Sequence, residues 1–267
     1  MCRTIVLANQ KGGVSKTSTV RNLSFSLAEL GKKVLAVDLD PQCNLTVCFG
    51  LSPKKMKHTT GTLITRMLTE DELPNKNEYI QTVGKVDVIP ASRALTIAEV
   101  NMFISHSSTK YLSKLLTPLQ SYYDYILIDT SPSLGALTVN ALTTADEVII
   151  PIDPELFAMT GMNDLMDSIS RVRENLNPHI QILGVLFVKC IMRTNLYKEA
   201  QKNIRNYFTN VPVLENVVPL TVKVGEANNH FMAVAEYDSA NPAAIAYMEL
   251  AKEVLRNAEN QSTAEIA

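Results

Sequence analysis

Long apolar runs are missing from this sequence. Runs such as Val148 with Ile149 and Ile150 fall far short of the roughly 20 residues that a membrane span needs. Cysteine is scarce and carries no pattern. The four thiols at positions 2, 43, 48 and 190 include no C-x-x-C pair, which excludes a disulfide framework and a zinc site and implies a reduced, cytoplasmic setting. Excess basic charge is absent too. A net charge of −2 argues against a strongly basic nucleic-acid binder while leaving room for a local basic patch. There is no internal repeat, low-complexity tract or Gly/Ser linker, so a single domain is expected. The opening MCRTIVLANQ runs straight into a strand-like segment without the shape of a signal peptide.

What is present is ordinary in amount and orderly in arrangement. The chain has 267 residues, 46% of them hydrophobic and 19% charged, enough to bury a substantial core. Short runs rich in β-branched residues at 4–8, 33–37, 86–89, 125–128, 148–152, 182–187 and, more weakly, 217–218 read as strands. Helical patterns lie between them at 16–30, 108–117, 135–145, 160–176, 197–208 and 242–258. Strands that are apolar on both faces and alternate with helices imply a mostly parallel, twisted α/β sheet covered by helices on both sides. Gly31 reads as the residue that closes the first helix. The polar segment 51–84 is expected to be a peripheral insertion in a domain spanning 1–258, and 259–267 a disordered tail.

One stretch carries the chemistry. NQKGGVSKTST, residues 9 to 19, follows the first strand and opens the first helix, as a phosphate loop must. Aligned on Lys16 and Thr17, the usual P-loop pattern asks for glycine where the chain has Gln10 and Ser15. The glycines stand instead at Gly12 and Gly13, with a second lysine at Lys11. Gly12 and Gly13 let backbone approach phosphate, Lys16 reaches the β- and γ-phosphates, and Thr17 holds Mg²⁺. Asp38 and Asp40 follow an apolar strand on the same sheet edge. Asp129, at the end of YDYILID, has the form of a Walker B aspartate that holds the metal directly or through water.

KGGVSKTST is similar to the deviant Walker A motif of the ParA/MinD superfamily. VLAVDLDPQCNLT, DTSPSLGALTVNAL, VIIPIDPELFAMTGM and VGEANNH followed by EYD narrow the resemblance to its Soj-like ParA partition ATPases. The resemblance covers nearly the whole chain and implies a P-loop NTPase-type fold with ATP and Mg²⁺ as cofactors. Gly12 to Ser18, including Val14, would wrap the phosphates, with Ser18 at the α-phosphate. Lys11 would cross a dimer interface to the partner's nucleotide, where a unit charge at 4 Å is worth at most about 4 kcal/mol. Asp40 would orient the attacking water with Asp38 beside it near the metal, and Pro219 and Leu220 would frame the adenine. Hydrolysis in this family is slow until a partner stimulates it. Ser15 replaces the family's more usual glycine, Thr130 with Ser131 its more usual Cys-Pro, and Leu220 and Lys223 two of its arginines.

The same resemblance implies an ATP-bound homodimer that binds DNA nonspecifically, a ParB-like centromere-binding partner, and a cytoplasmic, nucleoid-associated protein. Lys189, Arg193, Arg205 and Lys223 are the candidate DNA contacts. Lys198, Lys202 and Arg205 fall on one helix face at i, i+4 and i+7. A MinD-like membrane protein would need a basic amphipathic C-terminal helix, which MELAKEVLRNAENQSTAEIA does not offer. A cluster-transferring relative would need paired interface cysteines. A nucleotide-binding adaptor with little hydrolysis is the remaining alternative. The histidines at 58, 106, 179 and 230 have no ligand spacing, and Phe157 and Met159 are candidates for an interface or the core.

Overall fold

A computed structural model describes the backbone of residues 2–104, 109–154 and 158–266, and side chains within these ranges except 158–160 and 261–266. His106, Phe157 and the side chain of Met159 lie outside the described residues. The strands are β1 (Arg3–Leu7), β2 (Val34–Leu39), β3 (Gln81–Val83), β4 (Val86–Ile89), β5 (Tyr125–Thr130), β6 (Glu147–Ile152), β7 (Gln181–Cys190) and β8 (Val213–Pro219). They form one eight-stranded sheet in the order β3-β4-β2-β5-β1-β6-β7-β8. Every pairing is parallel except that of β3 with β4.

The sheet is buried on both faces because successive side chains alternate between two cores. Val6, Val37, Ile128 and Ile150 point into one, and Ile5, Leu7, Ala36, Leu127 and Ile149 into the other. The second core is closed by α1 (Lys16–Glu29) and by the last helix, Pro242–Ile266. The intervening helices are α2 (Asn44–Cys48), α3 (Thr60–Leu68), α4 (Lys76–Tyr79), α5 (Ala94–Ile104), α6 (Tyr111–Leu116), α7 (Ala136–Thr144), α8 (Ala158–Asn175), α9 (Asn195–Tyr207), α10 (Lys223–Asn229) and α11 (Val234–Tyr237). Pro242–Ile266 is therefore α12.

Two expectations change. The segment 51–84 is not peripheral throughout. Leu63 and Ile64 of α3 are fully buried, and the Thr60 hydroxyl donates to the Asp38 carbonyl at 2.8 Å. Its polar residues hid this, because the apolar face of α3 is only a few residues wide. The backbone of α12 stays helical to Ile266, eight residues past the expected end at 258, because that stretch holds neither glycine nor proline to stop it.

The chain order places the site. From β1 the chain moves outward to β2 and β4, returns to insert β5 between β2 and β1, then crosses to β6 on the other side. Connections therefore leave the carboxyl ends of β1, β5 and β6 in opposite directions, which opens a crevice there.

Candidate nucleotide site

The loop after β1 is built on backbone that most side chains avoid. Gly13 has φ +78°, and Ser15, the cap residue of α1, has φ 58° and ψ 25°. A left-handed serine costs about 1 kcal/mol or more, and the Ser15 side chain makes no capping bond to offset it. The first turn of α1 contains no acidic side chain, so the positive end of its dipole faces the crevice unneutralised. Lys16 is buried, and its ammonium donates to the carbonyls of Asn9 at 2.8 Å and Lys11 at 3.2 Å. Burial lowers the Lys16 pKa from the ordinary lysine value, while Asp129 and then Asp40 act to raise it.

Asn9 ties this loop to β6. Its amide donates to the Pro151 carbonyl at 2.7 Å, and its oxygen accepts from the Lys11 amide at 2.9 Å. The Lys11 ammonium reaches Asp153, just past β6, at 2.8 Å. Both Asn9 and Asp153 were invisible as site residues in the sequence.

The three aspartates lie close together, each in a distinct environment. Asp38 and Asp129 are direct partners in the β2–β5 register, and Leu7 of β1 pairs with Asp129. Asp38 is fully buried and already accepts three hydrogen bonds. Thr46 donates its amide at 2.8 Å and its hydroxyl at 2.6 Å to Oδ2, and the Asp40 amide donates to Oδ1 at 3.1 Å. It is an anchor for the turn after β2 more than a free metal ligand. Desolvation raises its pKa to about 6 against the lowering pull of those bonds. Asp40 accepts the Gln42 amide at 2.8 Å and lines the crevice.

Asp129 differs from both. It is fully buried, with the Thr17 hydroxyl and the Lys16 ammonium as the groups that favour its charge. Desolvation first and the neighbouring Asp38 second hold its pKa well above the ordinary carboxylate range, against the Thr17 hydroxyl and the Lys16 charge. A buried carboxylate so sparsely paired is costly unless a cation meets it. Thr17 and Asp129 together offer the one hydroxyl and one carboxylate that Mg²⁺ takes when phosphate and water supply its other ligands. Among the described residues no group of three or more His, Cys, Asp or Glu forms a metal cage, and this mode of binding needs none.

The loop and Asp40 open onto a crevice of about 530 Å³, bounded by Gly12 to Ser18, Asp40, Pro132, Lys189, Asn228 and Asn229. A second cavity of about 460 Å³ near Lys33, Lys76 and Tyr122 has neither the loop nor the aspartates. Pro219 ends β8, and Leu220 is 55% exposed beside it. Neither lines the crevice, whereas Asn228 does, donating to the Ser18 hydroxyl at 3.4 Å. The stretch VGEANNH drew notice in the sequence, but nothing there singled out its asparagines.

The basic candidates do not form one group. Arg193 follows β7, and Lys198, Lys202 and Arg205 are exposed along α9. Lys223 is paired with Glu226 at 2.7 Å. Lys189 lies in the crevice, donating to the Gly13 carbonyl at 2.6 Å. The thiols are held protonated by burial, with the pKa of Cys2, Cys43 and Cys48 raised to about 11 and that of Cys190 to about 12, which suits packing and not cluster binding.

A family model described as an AAA domain matches residues 2–182. The sporulation initiation inhibitor protein Soj of Bacillus subtilis is 37% identical over 257 residues, covering 96% of this chain and 100% of that protein. The chain belongs to the Soj/ParA family of ATPases. The chromosome-partitioning ATPase Soj of Treponema pallidum is likewise 37% identical to this ParA-family chain over 255 residues, 96% of the chain and 98% of the relative. Among solved structures, cobyrinic acid a,c-diamide synthase from Mycobacterium smegmatis with bound ADP and magnesium superposes with a TM-score of 0.84 at 31% identity. The match covers 97% of the ParA-family chain and 96% of the other. The same synthase has also been solved with an ATP analogue and magnesium.

Proposed function

We propose that this ParA-family ATPase is an ATP-dependent dimeric switch for DNA partitioning. It binds DNA nonspecifically as the ATP dimer and hydrolyses slowly until a ParB-like centromere-binding protein stimulates it. The observation that carries this reading is the second lysine of the loop. Lys11 is held by Asp153 immediately before the crevice-lining Gly12, in the same loop as Lys16. Release from Asp153 lets this cation reach a nucleotide on a second copy, by the logic of an arginine finger.

Bound Mg²⁺-ATP supplies the transferable phosphoryl group and the divalent charge that screens it. The chain's own residues do the rest. The amides of Gly12 to Ser18 and the end of α1 bind phosphate, and the Lys16 ammonium exchanges its carbonyl partners for phosphate oxygens. Thr17 and Asp129 would hold the metal. Asp40, fixed by the Gln42 amide, orients a water and draws its proton. Asn228, whose buried Oδ1 has no donor, accepts one from the nucleoside.

The exposed face of α9 with Arg193 is the proposed DNA surface, and its location on the nucleoid follows from that contact. Doubling this face by dimerisation is what gives a chain of net charge −2 useful affinity for phosphate backbone. The apolar side of α12, including Tyr247, Leu250 and Val254, is spent on the core, and among the described residues no helix is long and apolar enough to cross a membrane.

The test is binding to random-sequence duplex DNA at moderate salt with ATP, ADP or no nucleotide. Binding is expected with ATP alone. Replacing Lys198, Lys202 and Arg205 by alanine lowers the log–log salt slope by about 0.9 for each phosphate that is no longer neutralised. Equal binding with ADP and ATP contradicts the proposal.

A further inference from the structure

Strand β7 carries an irregularity that the nucleotide chemistry above does not use. Phe187 pairs with Val217 and Cys190 with Pro219, three steps along β7 against two along β8. One extra residue is therefore inserted, and Lys189 within it has φ 54°. The core assignments show the same break. Phe187 and Cys190 face one core and Val188 the other, so uninterrupted alternation would have put Lys189 on the side of Phe187. A bulge re-aims a side chain, and this one turns a lysine out of the sheet face toward the crevice. Its ammonium meets the carbonyl of Gly13, 176 residues away in sequence, at 2.6 Å.

The contact falls where the loop is weakest. The first half of the loop is held by Asn9 and by Lys16, which grips the carbonyls of Asn9 and Lys11. The second half contains both left-handed residues, Gly13 and Ser15, and only the glycine adopts that conformation without penalty. Ser15 gains no capping bond in return. Strained backbone persists where its surroundings over-determine it, and the link from Lys189 constrains the chain two residues before Ser15.

We propose that Lys189 is a positioning residue for the phosphate loop, clamping the Gly13 carbonyl from across the crevice so that Ser15 stays left-handed. This rests on the reading of the crevice as an ATP site and adds to it a residue that acts through the loop. Glycine at position 15 would need no such clamp, so the requirement for Lys189 and the presence of Ser15 are coupled.

The test is a double-mutant cycle on binding of a fluorescent ATP analogue with Mg²⁺, using wild type, Lys189→Met, Lys189→Arg, Ser15→Gly and the pair Lys189→Met with Ser15→Gly. Lys189→Met is expected to weaken binding about tenfold, the size of one charge-assisted hydrogen bond. Lys189→Arg, which keeps a charged donor, is expected to lose less affinity than Lys189→Met, and adding Lys189→Met to Ser15→Gly is expected to cost no further affinity relative to Ser15→Gly alone. Hydrogen exchange over residues 9–19 in nucleotide-free protein reads the clamp without any ligand. Protection falls in Lys189→Met and returns in the double variant, while melting temperatures confirm that each variant is folded. Unchanged binding and protection in Lys189→Met overturn the clamp. An equal loss with Ser15 and with Gly at 15 overturns it as well, because the lysine would then touch the nucleotide directly. If wild type binds no nucleotide while exchange still follows the expected pattern across the variants, the clamp stands and the ATP reading is contradicted instead.

Discussion

Asp129 is the residue whose environment most needs an explanation. Its carboxylate is fully buried beside Asp38, with only the Thr17 hydroxyl and the Lys16 charge to offset desolvation. Both groups have raised folded-state pKa values, so the folded protein holds their protons more tightly than the unfolded chain. Stability in the absence of metal therefore falls as pH rises from the ordinary aspartate value near 4 through about 6, where Asp38 titrates. Asp129→Asn removes one of the two charges. It is expected to raise the melting temperature of nucleotide-free protein at pH 8, flatten its decline above pH 5, and abolish Mg²⁺-dependent ATP hydrolysis. A scan of melting temperature against pH for both proteins checks the first two. Lys11 gives the complementary case, a charge that is well paired in the single protomer. Its bond to Asp153 at 2.8 Å opposes any movement toward a partner. Asp153→Asn is expected to lower the ATP concentration needed for dimerisation, by about tenfold if the pair is worth 1 to 2 kcal/mol. Light scattering across an ATP titration measures it.

Among the elements, those that build the site were the easiest to read. Strands β1, β2, β5 and β6 are apolar on both faces, and α1 follows a phosphate-loop pattern, so their ends fell within two residues of expectation. Strand β4 falls at 86–89 as expected, but the rest of the segment from 43 to 104 was read poorly for a physical reason. Helices α2 and α4 are five and four residues long, too short to show a period, and β3 has three residues. Helix α3 begins at a Thr59 capping box whose reciprocal partner is Thr62, not an acidic residue, and its sequence is rich in β-branched threonine and isoleucine. Only the tertiary contact explains Gly61. A Cβ there would lie 2.5 Å from the Leu95 amide nitrogen and 2.8 Å from the Ala94 carbonyl carbon. Gly61→Ala gains up to about 1 kcal/mol in helix propensity and loses about 2 kcal/mol or more to the clash, so it is destabilising overall. The urea midpoint would fall. Because Thr60 holds the Asp38 carbonyl, loss of ATPase activity should accompany that fall. In the site itself, the loop and aspartates were legible because their chemistry dictates residue type. Asn9, Asp153 and Asn228 were not, since a single amide or carboxylate in sequence carries no sign of what it faces. The role of Lys189 depends on a bulge that no periodicity announces.

At the scale of the whole molecule, one protomer holds an incomplete arrangement. The loop, Thr17, Asp129 and Asp40 all lie at the carboxyl ends of adjacent strands, while Lys11 is turned back onto Asp153 of its own chain. In the proposed reading, the basic face of α9 on a single net-acidic chain neutralises too few phosphates for firm DNA binding. A second copy would supply the second lysine and the second basic face together, which links nucleotide state to DNA affinity without a separate regulatory domain. The measurement that tests this most directly is the molar mass in solution with ATP, ADP and no nucleotide, for wild type, Lys11→Ala and Asp40→Ala. The account predicts an ATP-dependent dimer for wild type, a persistent ATP dimer for Asp40→Ala because hydrolysis no longer dissolves it, and a monomer throughout for Lys11→Ala. A wild type that stays monomeric with ATP, or a Lys11→Ala variant that dimerises as wild type does, would contradict it.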